Sequence, residues 1–256
     1  MVSHTKLRGY LYGIGAPRLA FTLAMLNMAT AVMAEEPANV TREEWALIPA
    51  YCPHAQGWSR DWYGPDSMRW KAKIGPDFSH MHHYCWGQVN MLRAQKSNVS
   101  KQERKRLLEL VRGDYLYVTK HSARDFVLLP EVYTRIGEVE LRLALYNEAN
   151  KSFAQARALK PDYWPAYSHW AEFLIRSGKR AEAKQVVKSG LDYSPGSRVL
   201  REQYRLVGGN PSDIMPRVIG PTPDGPTGET AASGTKKQPS RAKETGEASQ
   251  STNPDK

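Results

Sequence analysis

Apolar and polar positions alternate with a helical period through residues 78–208, and within that span the pattern repeats. Residues 130–163 read PEVYTRIGEVELRLALYNEANKSFAQARALKPDY. Residues 164–197 read WPAYSHWAEFLIRSGKRAEAKQVVKSGLDYSPGS, and the two align from end to end without a gap. Tyr133 falls on Tyr167, Ile136 on Trp170, Gly137 on Ala171, Ala149 on Ala183, Phe153 on Val187, Ala156 on Gly190 and Pro161 on Pro195. Each unit predicts two antiparallel helices that approach closely at the small residues. Tyr133, Tyr167, Trp170 and Phe153 fill the space between pairs, and Pro161 and Pro195 stop each second helix.

The same form extends outward in both directions. The stretch HYCWGQVN (83–90) sets Trp86–Gly87 in phase with Ile136–Gly137, and SKQE (100–103) is a capping-box start for a second helix. In that phase the first hairpin occupies 80–129, well beyond the length of the unit at 130–163, and Tyr115 takes the place of the small alanine. Residues 197–209 predict one capping helix ended by Gly208 and Pro211. Residues 35–77, rich in Trp, Pro and Gly, are broken too often for helices of ordinary length. Residues 210–256 hold almost no large apolar side chain and are expected to be disordered. The predicted fold is all-α: about three hairpins and a cap helix over 78–209, behind an irregular aromatic segment.

The repeat resembles the tetratricopeptide family, whose unit carries an aromatic residue, a large apolar residue followed by Gly or Ala, later Ala and Phe, then Pro. The chain departs from that pattern at Glu140, where an apolar residue is usual, and in the turn ALYNEA, which lacks the customary Gly. The resemblance implies a helical solenoid whose concave face is lined by the first helix of each pair. On that face it places Gln88, Glu138 and Glu172 at one level, Tyr84, Thr134 and Ser168 one turn earlier, and Arg142 and Arg176 one turn later. Such rows of Glu and Arg suit an extended peptide or helix, with Tyr84 as apolar anchor. The Lys/Asn/Arg set of family members that clamp a C-terminal carboxylate is not reproduced, so that ligand is not implied.

Charge and cysteine add a compartment. Residues 1–18 are basic and free of acidic side chains, and LAFTLAMLNMATAVMA (19–34) is an apolar run closed by small residues. That is the form of a secretory signal cleaved after Ala34, too short to span a bilayer. The mature chain is then periplasmic or secreted and meets the membrane only in transit. In an oxidising compartment Cys52 and Cys85 are expected to form a disulfide that closes the loop between them. The net charge of +10 admits acidic partners, but export and the lack of an aromatic-interleaved basic motif argue against nucleic acid.

Candidate chemistry concentrates in FSHMHHYCW (78–86). On a helix His80 and His83 are neighbours, as are His82 and Cys85, but all four cannot share a face. The helical His-Glu-x-x-His zinc pattern is absent. With Cys85 oxidised, His54, His80, His82 and His83 remain as an all-histidine metal alternative, against a plainer reading in which this is a scaffold helix stapled by the disulfide. Trp58, Trp62 and Trp70 invite a glycan reading, against one in which they build a core. No nucleophile elbow or phosphate-cradling loop is present. The expectation is a non-enzymatic, cofactor-free scaffold that binds a protein or peptide partner, with metal or haem handling by the histidine cluster as the alternative.

Overall fold

The computed structural model describes residues 39–215, and within them the fold is all-α. The expected signal sequence over 1–34 and most of the expected disordered tail lie outside the described residues. No described helix is long and apolar enough to cross a membrane.

Three helix pairs follow one another: α3 (Met81–Ala94) with α4 (Lys101–His121), α5 (Leu129–Arg142) with α6 (Tyr146–Leu159), and α7 (Trp164–Arg176) with α8 (Arg180–Tyr193). A single helix, α9 (Arg198–Leu206), closes against α7 and α8. Helices α6 and α8 end just short of Pro161 and Pro195, as expected. The small residues sit where neighbouring rings need them. A Cβ on Gly137 would lie 2.8 Å from the Phe153 ring, and one on Gly190 would lie 2.8 Å from Tyr167 and Leu200.

The same contact corrects the phase of the first hairpin. A Cβ on Gly87 would lie 2.4 Å from Tyr115, which is fully buried, so Tyr115 is the counterpart of Phe153 and not of an alanine. Yet the chain from Gly87 to Tyr115 is much longer than the chain from Gly137 to Phe153. Most of the excess therefore sits at the turn end of the hairpin. Helix α4 has 21 residues where α6 and α8 have 14, and it starts well before the level that Tyr115 marks. The capping box at its start is half formed: Ser100 accepts from the Glu103 amide at 3.1 Å, while the Glu103 carboxylate turns to Arg106.

The segment before α3 holds more helix than its Pro and Gly content predicts. Short α1 (Arg42–Leu47) is set by a complete capping box between Thr41 and Glu44. Helix α2 (Pro65–Ile74) begins with Pro at its first position, where no amide bond is lost. Trp45, Trp58, Trp62 and Trp70 pack against the first core cluster, Trp62 stacked on Phe78 at 5.6 Å and Trp45 edge-on to Trp58 at 4.8 Å. A Cys52–Cys85 disulfide ties this segment to α3, as expected from the even cysteine count.

Buried apolar side chains form two clusters. One gathers Ile48 to Val139 around α3, α4 and α5; the other gathers Ala149 to Val207 around α6 to α9. Glu140, the departure from the repeat pattern, is buried near the seam. It is fully satisfied there, accepting from Arg112 of α4 at 2.8 Å and from Ser152 of α6 at 2.7 Å. Residues 210–215 were expected to belong to the disordered tail, but Pro211–Asp213 form a 3₁₀ turn and Ile214 packs on the second cluster.

Candidate protein-binding cleft

Four of the eight side chains expected on the binding face converge. Glu138, Arg142, Glu172 and Arg176 line a cleft of about 410 Å³ between α5 and α7, together with Leu141, His169 and Phe173. The members fall at helical spacings of three and four, so one stripe of each helix faces the gap. Glu138 is the fixed point. Its Oε2 accepts from Arg135 Nη1 and its Oε1 lies against His169 Nδ1, each at 3.0 Å.

The other charges are held loosely. Glu172 and Arg176 pair at 3.4 Å with both side chains more than half exposed, and Arg142 donates only to the Glu138 carbonyl at 3.0 Å. Exposed pairs of this kind contribute about 0–1 kcal/mol, so exchanging them for charges on a ligand costs little. Phe173 supplies an apolar wall, stacked between Tyr146 at 5.1 Å and Trp170 at 5.2 Å. His169, Leu141 and Phe173 were not anticipated. The signal was present, since each lies three or four positions from a residue already placed on the face.

The remaining four expected residues do not reach this surface. Tyr84 is buried, donating its hydroxyl to Glu131 at 2.6 Å, and so is no accessible anchor. Gln88 is half-buried and donates to the Tyr115 hydroxyl at 3.0 Å. Tyr115 of α4 takes up both side chains, stacking on Tyr84 at 5.2 Å, and the N-terminal segment covers α3 beside Tyr84 through Cys52, Phe78 and their neighbours. Tyr51 joins this cover, and burial pushes its phenol, like that of Tyr84, well above the usual range. Thr134 is turned into its own helix, donating to the Pro130 carbonyl at 2.8 Å, and Ser168 is buried with its carbonyl accepting from Gln203 at 3.1 Å.

The histidines are drawn into helix contacts. His83 Nδ1 lies 2.9 Å from the fully buried Asp114 Oδ1, and its ring sits 3.7 Å from that of Tyr117. Burial drives both partners toward their neutral forms, Asp114 up to about 8 and His83 down to about 4. His82 Nδ1 bonds the Ser79 carbonyl at 2.8 Å, and the His80 ring approaches that of His121 at 5.8 Å. His54 is placed in a separate 3₁₀ turn, where its carbonyl accepts from Ser67. Among the described residues no group of three or more His, Cys, Asp or Glu side chains is placed to hold a metal ion.

Comparison with family models, curated proteins and solved structures finds no match. The functional reading therefore rests on the chain's own geometry.

Proposed function

We propose that the chain is a non-enzymatic, tetratricopeptide-like scaffold, exported to an oxidising compartment, that binds a protein or peptide segment in the cleft between α5 and α7. One observation carries this reading. Glu138 and Glu172 hold equivalent positions in successive repeats, as do Arg142 and Arg176, and both pairs meet in one cleft. A repeat that only solvated its surface has no need to bring both charge rows to a shared concavity with an aromatic wall. The Cys52–Cys85 disulfide supports the compartment.

The test swaps Glu172→Lys with Arg176→Glu, which keeps the net charge and the internal pair while inverting the pattern a ligand meets. Crosslinking in envelope extracts is expected to retain a partner on the wild-type chain and to lose it about tenfold with the swap. Equal capture by both chains removes the cleft from the binding site. Intact mass of the exported protein, read with and without reductant, checks cleavage after Ala34 and the disulfide together.

A further inference from the structure

A second recessed surface lies on the other side of Arg142, which borders both, and the overlong first hairpin creates it. Helix α4 starts before the α5–α6 turn is reached, so its first two turns face the end of α5 with no helix between. The gap is a groove of about 650 Å³, floored by Leu108, Leu143 and Ala144. At Lys105 and Leu143 it runs into an adjoining cleft of about 510 Å³ that includes Leu116 and Leu145.

The rim of the larger part is one-signed, while the adjoining cleft carries Glu109 beside Lys105 and Arg112. Lys101, Arg104, Lys105 and Arg142 border the larger part, and no carboxylate does. Lys105 has only a 3.6 Å contact with Glu109, while Arg104 and Arg142 donate to backbone carbonyls. Lys101 has no partner among the described residues. One further detail marks the floor. Ala144 holds φ at 60°, where the equivalent turn of the next pair uses Gly178 at 75°, and its methyl lines the groove. A strained side chain where a glycine would serve is presented to this surface.

We propose that this groove docks an acidic amphipathic segment of a partner protein, its carboxylates on Lys101, Lys105 and Arg142 and its aliphatic side chains over Leu108, Leu143 and Ala144. Charge complementarity selects that occupant. A second copy would bring the same cationic rim against itself, on a chain that stays net positive after Lys6, Arg8 and Arg18 leave with residues 1–34. Residues 216–256 carry six Lys and Arg against five Asp and Glu, with Val218 and Ile219 as their only large aliphatic residues, so they complement the groove poorly. A bilayer needs apolar groups that protrude, whereas Leu108 and Leu143 sit at the bottom of a recess.

The probe is a synthetic helix with glutamates on one face and leucines on the other, titrated into the isotope-labelled full chain and followed by NMR. The expected result is shift changes at the amides of residues 101–108 and 143–145, which lie outside the Glu138–Glu172 cleft. Affinity should fall about tenfold when the peptide's Leu become Ser, when its Glu become Gln, or when the protein carries Lys101→Glu with Lys105→Glu. These two lysines are exposed, and an unchanged circular dichroism melt establishes that the variant is folded. Lys101→Gln with Lys105→Gln should give a smaller loss in the same direction. Shift changes confined to the Glu138–Glu172 cleft overturn the proposal, as does their absence from both segments. Retention on phosphatidylglycerol vesicles that the Lys→Glu pair abolishes, without peptide binding, overturns it in favour of a lipid surface.

Discussion

Three helices end in the same way, and single residues decide at what cost. The amides of Leu145, Lys179 and Gly209 return to the carbonyls of Glu140, Leu174 and Tyr204, around Ala144, Gly178 and Gly208, all with positive φ. An L side chain in this conformation is strained by about 1–2 kcal/mol, partly offset by the greater freedom glycine loses on folding. Nothing lies within 4 Å of a Cβ built on Gly178, so Gly178→Ala isolates the backbone term. It is expected to lower stability by about 1 kcal/mol, and Ala144→Gly to raise it by about 0.5–1 kcal/mol, both read as shifts of the denaturation midpoint. The missing glycine of the first turn was legible as a departure from the repeat. That alanine would keep the left-handed geometry was not, because backbone conformation there is imposed by the two helices it joins.

At the scale of elements, short α1 is too small to persist alone and is held by what it touches. Glu44 caps its first turn and reaches α3, accepting from Arg93 at 2.9 Å and lying 3.3 Å from Lys96. The bonds from Arg93 hold its carboxyl at about 2, below its ordinary 4.5, although burial opposes them. Because the folded value is the lower one, the contribution is present above pH 4.5 and is lost as pH falls toward 2. It amounts to about 2–3 kcal/mol. Urea unfolding between pH 7 and 2.5 should show that loss in the wild type, and Glu44→Gln should be weaker at pH 7 with a flatter acid limb. Repeated elements such as α5 to α8 were legible because small residues and prolines recur in phase. Helix α2 was not, since proline at a first helical position looks like a breaker. The height of α4 was legible only as an excess of residues, for spacing does not say whether extra chain lengthens a helix or a loop.

Across the whole molecule, long-range ties set which parts of the expected face stay open. Glu138, Arg142, Glu172 and Arg176 could be read from the repeat alone, because equivalent positions of a sequence repeat carry the same surface pattern. Tyr84 and Gln88 could not, because Tyr115 of the overlong hairpin takes up both and the segment that covers α3 has no repeat to compare. The Cys52–Cys85 disulfide links that cover to α3. Closing the loop between Cys52 and Cys85 stabilises the fold by about 3–4 kcal/mol, and Cys52→Ala with Cys85→Ala should lose that amount in denaturant. The staple lies wholly in the first apolar cluster; the second, from Ala149 onward, has no such restraint. The α5–α7 cleft straddles this seam, with Glu138 on one side and His169 and Phe173 on the other. A molecule seated there would act as a clasp between a restrained half and an unrestrained one. Its occupancy and the thermal endurance of the C-terminal half would then be one linked quantity, so that a mutation loosening either loosens both.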